Sequence, residues 1–412
     1  MMFRNRALTA LAAAKLISTM GSWMTVVALP WFVLTTTGSP TKMGQVLGAE
    51  VLAVALLGIP SGSVVARLGV LRTMLVGDLL RAVIVALIPG LHAVGLLSFP
   101  LLLVLSFAIG VFSAPYYSSQ RLILPELLGE DEQVISQGNS MIDGANRFGS
   151  LAGPALSGVL IGLLSAANVM WVDAATYLAS FLLLALFVRR QTKRRPVPSA
   201  EPTGMAVGLR YVFGNRIIKH LGIALFLMGI ALPMLMAALP VLTYLRYGAD
   251  PKITGFLVTS YGAGMALGSV MAYMAFARYS RQFLGTVGMI CVVIPLWVLI
   301  STPSPVVVGV ALFVSGLFIP VNSSIIGTLV TLRTPEGIRP QVMTVVVTSE
   351  NLAGPLAFAL AGPLLQALGL ATVFALVAAM WTGAALAFLV ALRAAAQPPP
   401  PDHISTERAT VS

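Results

Sequence analysis

Long apolar runs dominate this chain, and short groups of charged residues, Gly and Pro separate them. An apolar run of about 20 residues is what an α-helix needs to cross a bilayer. The pattern predicts an all-α polytopic membrane protein with twelve spans. The predicted spans cover residues 8–35, 43–66, 73–92, 98–120, 134–164, 167–188, 217–245, 253–277, 283–301, 305–331, 341–368 and 370–392.

Composition supports this prediction and excludes other classes. Hydrophobic residues make up 58% of the chain and charged residues 9%, against about 25% charged in soluble proteins. A water-soluble domain cannot hide this much apolar surface, so a soluble enzyme, a disordered protein and a disulfide scaffold are excluded. Cys291 is the single cysteine and the three histidines are scattered, so we expect no disulfide and no metal site.

A basic stretch that contains several prolines divides the predicted spans into two sets of six. The predicted organisation is an N-terminal half over 1–188, a linker over 189–216, a C-terminal half over 217–392 and a Pro-rich tail over 393–412. Within the linker, residues 205–213 are predicted to form a short helix along the membrane surface.

Positive charge predicts the orientation. If both termini and the linker are cytoplasmic, most of the 25 Lys and Arg residues lie on the cytoplasmic side, as the positive-inside rule requires. The net charge of +11 is then a signal of topology. Because the basic residues are spread over many loops, we expect the lipid bilayer as a partner and no nucleic acid.

The two halves repeat each other in sequence. The segment GSPTKMG from Gly38 resembles GADPKITG from Gly248, and Gly153-Pro154 recurs as Gly362-Pro363, in each case about half a chain further on. Two parallel six-helix repeats are the plan of a transporter that rocks around a substrate site between pseudo-symmetric halves.

Pairs of small residues four apart let helices approach closely in lipid. Such pairs are Gly44/Gly48, Gly58/Gly62, Gly149/Gly153, Gly158/Gly162 and Gly264/Gly268. They mark places where helices of this protein can pack closely.

The loop between the second and third spans carries a recognisable motif. Gly62, Arg67, Gly69 and Arg72 resemble the loop signature of the major facilitator superfamily, although Ala66 stands where that family usually has Asp. The resemblance implies the twelve-helix major facilitator fold. In that fold the glycine pairs of the second, fifth and eighth spans would lie at the contact between the halves, with Gly153 and Gly264 facing the opposite half.

The fifth span carries a second motif. Gly149, Gly153, Pro154 and Gly158 resemble the Gly-Pro motif of exporters in this superfamily. Shorter matches resemble the macrolide-efflux and enterobactin-exporter branch. These are Pro125-Glu126, Asn139, Asp173-Ala174 with Tyr177, Gly208-Leu209-Arg210-Tyr211 and Pro335-Glu336.

The resemblance implies a monomeric exporter in a bacterial cytoplasmic (inner) membrane. It would move amphipathic small molecules, such as drugs, natural products or siderophores, by alternating access. A proton gradient would supply the energy, with no cofactor and no enzymatic step. Two alternatives stay open: a nutrient importer of the same fold, and a membrane sensor or assembly partner that has lost transport.

Ionisable groups inside the spans are candidates for proton coupling, because an unpaired charge in the bilayer is costly. Glu50 has no basic residue at helical pairing distance, and a lone carboxyl in a low-dielectric environment favours its neutral form. The coupling candidates are Glu50, Asp143 and Glu350.

Two further predictions concern pairing within one helix. Asp143 and Arg147 are four residues apart and Asp78 and Arg81 are three apart, so each couple can form an ion pair on one helix face. Asp173 is expected near the outer membrane interface.

Met and aromatic side chains suit variable apolar ligands, and several lie on the first and seventh spans. The substrate-cavity candidates are Met20, Trp23, Met24, Trp31, Met234, Met236 and Tyr244.

Overall fold

The structure is a computed structural model that describes residues 6–58, 60–128, 132–188, 205–302 and 304–396. Among these residues there is no strand. The helices are α1 (Arg6–Thr37), α2 (Pro40–Leu57), α3 (Ser61–Leu68), α4 (Val70–Ala93), α5 (Phe99–Leu128), α6 (Glu132–Leu164), α7 (Ala166–Leu183), α8 (Met205–Gly214), α9 (Arg216–Arg246), α10 (Pro251–Phe276), α11 (Arg281–Val298), α12 (Pro305–Leu332) and α13 (Arg339–Ala396). Most of the predicted linker, 189–204, and the end of the tail, 397–412, lie outside the described residues.

The all-α, multi-pass architecture is confirmed. Ten of the described helices are long and apolar enough to cross a membrane, or eleven if the bent pair α2–α3 forms one span. Helix α13 has 58 residues, and a straight helix of that length would be about 87 Å long, far more than the roughly 30 Å core of a bilayer. Gly369 breaks it, with φ 81° and ψ 174°, where the sequence predicts the boundary between the last two spans. The count of twelve stays a prediction.

The repeated sequence segment starts the second helix of each half. Ser39 caps α2 by accepting a hydrogen bond from the backbone N–H of Lys42 at 3.3 Å. Asp250 caps α10 in the same way, accepting from the N–H of Lys252 at 2.9 Å. A proline occupies the first helical turn in both cases, where its missing N–H costs nothing. The repeated segment therefore has the same local role in both halves, which is to cap the N-terminus of the second helix.

Helices from different halves meet mainly along two pairs, α2 with α13 and α6 with α10, and α1 makes smaller contacts with α9 and α10. Four glycines, which we call the seam glycines, make the closest approaches: Gly44 with Gly362, and Gly158 with Gly255. A Cβ built on Gly255 would lie 2.6 Å from the carbonyl oxygen of Pro154 and 2.9 Å from the Cα of Gly158. Only glycine allows this backbone separation at the seam.

The expectation that Gly153 and Gly264 face the opposite half is wrong. A Cβ on Gly153 would lie 2.6 Å from the carbonyl oxygen of Met20 in α1, inside the N-terminal half. A Cβ on Gly264 would collide with the carbonyl oxygen of Phe313 in α12, inside the C-terminal half. Small residues permit close packing inside each half as well as between halves, and spacing along one helix does not reveal the neighbour.

The closest backbone contacts between the halves lie toward one end of the bundle. The seam glycines lie close to the ends at which α2 and α10 begin. The rings of Trp31 in α1 and Tyr244 in α9 meet edge to face near the same end, with centroids 6.2 Å apart. We call this the closed end of the bundle.

Candidate functional site

A fully buried ion pair lies inside the N-terminal half. Arg81 Nη2 lies 2.6 Å from Asp78 Oδ1, and both residues are on α4, three positions apart. The second carboxylate oxygen of Asp78 accepts a hydrogen bond of 2.7 Å from Ser180 Oγ of α7. The Nε of Arg81 donates to the carbonyl oxygen of Gly77 at 3.1 Å. The structure therefore brings Asp78 and Arg81 together and ties their pair to a neighbouring helix.

Two tyrosine rings enclose the guanidinium group. The Cζ atom of Arg81 lies 3.9 Å from the ring centroid of Tyr116 and 4.4 Å from that of Tyr177. A desolvated cation over an aromatic face gains about 2 kcal/mol or more. The hydroxyls of Tyr177 and Ser22 are 2.9 Å apart, which links the cluster to α1. The sequence contains no signal for this arrangement, because the two tyrosines lie on different helices.

Asp173 is fully buried between helices of the same half, and its expected place near the outer membrane interface stays a prediction. Its carboxylate accepts hydrogen bonds from Thr25 Oγ1 at 2.5 Å and from Thr176 Oγ1 at 3.2 Å. Among the described residues it has no ion-pair partner within contact distance. The carboxylate fits against Gly21 of α1, where a Cβ would collide with it and with Thr176. A single acidic residue within an apolar span was the signal for this site.

Glu50 of α2 is a further acidic residue of the N-terminal half. It is half-buried, and in the described part of the chain no ion pair involves it. Glu50 and Asp173 are therefore two carboxyl groups on different helices of the N-terminal half that form no ion pair in the described part of the chain.

The predicted pairing of Asp143 with Arg147 is wrong. Both side chains are exposed, and Arg147 Nη1 donates to Ser269 Oγ of α10 at 2.7 Å, across the contact between halves. The longer arginine reaches a neighbouring helix more easily than the preceding turn of its own. Glu350 belongs to α13, and its side chain lies outside what the structure describes.

A cavity of about 300 Å³ lies between the halves and mainly within the C-terminal one. Helix α2 contributes Val51, and α9, α10, α12 and α13 contribute the remaining walls. The described lining residues are Val51, Leu225, Met228, Gly229, Leu232, Pro233, Tyr261, Met265, Ile319, Asn322, Ser323, Ile326, Gly354 and Trp381. All of them are uncharged, so the cavity is apolar with a few polar groups.

The seven predicted cavity residues do not line this cavity. Met24, Trp31 and Met234 are buried in the main apolar core. Met236 and Tyr244 pack against that core, while Met20 and Trp23 are half-buried on α1. Of the two predicted helices, α9 lines the cavity and α1 contributes no described lining residue. On α9 the predicted face is wrong, because an unbroken apolar helix carries no mark of which side meets the cavity.

The loop motif lies at the junction of α3 and α4, and the fifth-span motif lies where α6 contacts other helices. Gly69 separates α3 from α4 with φ 86°, a conformation that favours glycine, while Arg67 and Arg72 flank it on exposed positions. Gly62 has no atom within 4 Å of a built Cβ. In the fifth-span motif, Gly149 and Gly153 pack on α1, and the carbonyl of Pro154 and Gly158 pack on α10.

Two repeated sets of long apolar helices with an apolar cavity between them are the plan of a membrane transporter. The sequence profile of the Major Facilitator Superfamily matches residues 11–357 and 221–411. The chain belongs to this family, and the resemblance carried by its motifs is confirmed.

Relatives and solved structures agree with this assignment. Over 369 residues the chain is 28% identical to the multidrug efflux pump Tap of Mycolicibacterium fortuitum, covering 86% of this chain and 88% of that protein. The crystal structure of the nucleoside transporter NupG matches with a TM-score of 0.74 at 13% identity, covering 94% of this chain and 99% of that one. A bacterial homologue of the human lysosomal transporter Spinster, inward-facing and occupied, matches with a TM-score of 0.74 at 13% identity, covering 97% and 100%. The two structures show the fold alone.

Proposed function

We propose that this chain is an efflux transporter that exports amphipathic small molecules by alternating access. The observation that carries the proposal is the similarity to a multidrug efflux pump over most of both chains. An apolar cavity between two repeated halves supplies the place for such a molecule. The partners in this proposal are the small-molecule substrate and the lipid bilayer, and the protein acts as a monomer without enzymatic chemistry.

The orientation is part of the same proposal. With both termini in the cytoplasm of a bacterial cell, the ends at which α2 and α10 begin face outward. The closed end of the bundle is then the outer one. Closure at the outer end is the arrangement in which an exporter accepts its substrate from the cell interior.

The energy source in this proposal is the proton gradient, and Glu50 and Asp173 carry the proton. Both carboxyl groups lie within the N-terminal half, and neither forms an ion pair with a basic side chain among the described residues. Asp78 is less suited, because its charge is held by Arg81 and Ser180. Taking up a proton removes the cost of a buried charge and changes the attraction between α2, α7 and Arg81.

The test uses proteoliposomes with an imposed pH gradient and a panel of radiolabelled apolar antibiotics. Glu50→Gln and Asp173→Asn imitate the protonated groups, so we expect gradient-driven export to fall about tenfold or more while substrate exchange without a gradient continues. The matched control is Glu336→Gln, since Glu336 is an exposed carboxylate with a weak contact of 4.0 Å to Arg339.

Full gradient-driven export by both variants would remove Glu50 and Asp173 from the coupling mechanism. If the unmodified protein exports equally well with and without the gradient, proton coupling is wrong altogether. If it moves none of the panel in either direction, the proposed efflux function fails.

A further inference from the structure

A second cavity, of about 420 Å³, lies between α10, α11 and α12. On α10 the central cavity ends at Met265 and the second cavity begins at Ser269, one helical turn farther from the closed end. On α12 Ser323 lines the central cavity and Ser324 lines the second one. The two cavities are therefore neighbours on the same pair of helices. The polar and aromatic lining residues of the second cavity are Ser269, Tyr273, Phe276, Arg281, Ser324 and Thr328.

Two arginines, one from each half, meet this cavity. Arg281 is the first residue of α11 and lines it. Arg147 of α6 donates from Nη1 to the Oγ atom of the wall residue Ser269 at 2.7 Å. Neither arginine forms an ion pair in the described part of the chain, and no Asp or Glu is among the described lining residues. The cavity therefore receives positive charge from both sides of the seam without a carboxylate to balance it.

The hydroxyl groups on the walls do not compete with the arginines as donors. Ser269, Ser324 and Thr328 each donate their proton to a backbone carbonyl of the preceding turn, at 2.9, 2.8 and 2.8 Å. The donors that remain for a ligand are the guanidinium N–H groups, of which an arginine has five. A carboxylate or a phosphate matches them best, because two of its oxygens can accept from one guanidinium in parallel.

Aromatic surface lies next to this charge. Tyr273 and Phe276 of α10 line the cavity, and Tyr273 is 86% exposed. Binding sites for small molecules commonly combine aromatic walls with a few charged groups that orient the ligand. The walls therefore suit a molecule with an apolar body and one acidic group.

We propose that the second cavity binds organic anions that combine an apolar body with a carboxylate or phosphate group. The acidic group pairs with Arg147 and Arg281, and the apolar body lies against Tyr273 and Phe276. This inference rests on the proposed efflux function, since it names amphipathic anions as a class of exported molecule.

Two probes with the same two-ring body separate charge from shape. 2-Naphthoate carries a carboxylate at neutral pH, while 2-naphthamide is uncharged. Equilibrium binding of each radiolabelled probe is measured with the purified protein in phosphatidylcholine nanodiscs, and empty nanodiscs give the background from the lipid. We expect naphthoate to bind about tenfold more tightly than naphthamide, because each exposed ion pair contributes up to about fivefold.

Removing either arginine tests the assignment of the charge. Arg281→Gln and Arg147→Gln are each expected to weaken naphthoate binding about three- to fivefold and to leave naphthamide binding unchanged. The matched control is Arg278→Gln, because Arg278 is an exposed arginine between α10 and α11 that is not among the lining residues. It is expected to leave both affinities unchanged. A normal gel-filtration profile of each variant establishes that it is folded.

Equal binding of the two probes, or an unchanged naphthoate affinity in both arginine variants, would overturn the inference. An equal loss in Arg278→Gln would show a general attraction to basic loops instead of a site. Two further arms identify other anions as the occupant. Displacement of naphthoate by inorganic phosphate as effective as by unlabelled naphthoate would assign the cavity to a small inorganic anion. Loss of naphthoate binding in nanodiscs that contain phosphatidylglycerol would assign the arginines to a lipid headgroup.

These binding measurements use no gradient and no second compartment, so they separate this inference from the efflux proposal. Binding in the expected order by a protein that exports nothing would refute efflux and leave the anion site standing. Export of the antibiotic panel by a protein that does not distinguish the two probes would refute the anion site alone.

Discussion

Gly255→Ala tests whether the seam glycines hold the closed end together. The added Cβ would lie 2.6 Å from the carbonyl oxygen of Pro154 and 2.9 Å from the Cα of Gly158. Real Cβ atoms do not come this close to backbone atoms, so α6 and α10 must separate by several tenths of an ångström. Overpacking of this kind typically costs about 1 to 3 kcal/mol.

The cost falls on only one conformational state. If the two halves part at the closed end during transport, the clash disappears in the state that is open there. A difference of about 1 to 3 kcal/mol changes the ratio of the two states by a factor of about 5 to 150. We therefore expect Gly255→Ala to shift the population toward molecules that are open at the end at which α2 and α10 begin.

Pulsed electron paramagnetic resonance measures this shift directly. Spin labels are attached to cysteines at Val94, after α4, and at Val306, in the first turn of α12, in a Cys291→Ser background. Both valines are well exposed, and each lies at the closed end in a different half. Gly255→Ala is expected to raise the fraction of long distances between the labels.

The control is Gly264→Ala, whose added Cβ collides with α12 inside the C-terminal half. It is expected to lower thermal stability without changing the distance distribution. An unchanged distribution in folded Gly255→Ala, or an equal shift in both variants, would refute the argument that the seam glycines select the closed state.

Two further predictions concern the buried polar cluster. Arg81→Lys is expected to lower the midpoint of thermal unfolding in detergent by several degrees, because the lysine ammonium lacks the planar guanidinium that stacks between Tyr116 and Tyr177. Lys219→Arg in α9 serves as the comparison. Gly21→Ala is expected to reduce the yield of folded protein, measured by fluorescence-detected gel filtration, because its Cβ would occupy the space of the Asp173 carboxylate; a normal yield would show that α1 and α7 can separate without loss.

The sequence by itself determined the class of the protein and its repeat. Apolar runs long enough to span a membrane form helices there, because lipid offers no hydrogen-bond partner to free backbone N–H and C=O groups. The capping residues Ser39 and Asp250 act on their own helices, so local sequence is enough to place the starts of α2 and α10. The break at Gly369 was also predictable, because a glycine can leave the helical conformation through its own backbone without help from other helices.

Contacts between helices were decided by the tertiary structure. The sequence showed that Gly153 and Gly264 permit close approach but not that α1 and α12 are the helices that approach. It placed Asp78 and Arg81 on one face of α4, but the tyrosines that enclose the guanidinium come from α5 and α7. In lipid each apolar face is as acceptable as another, so composition does not fix the rotation of a helix.

The cavity shows the same division most clearly. The sequence indicated Met and aromatic residues on the first and seventh spans, yet Met24, Trp31 and Met234 are core residues. Tyr261 and Trp381 line one cavity from α10 and α13, helices far apart along the chain, and their polar atoms have no hydrogen-bond partner among the described residues. Whether a polar atom has a partner depends on packing in three dimensions, and that property is absent from the order of residues along the chain.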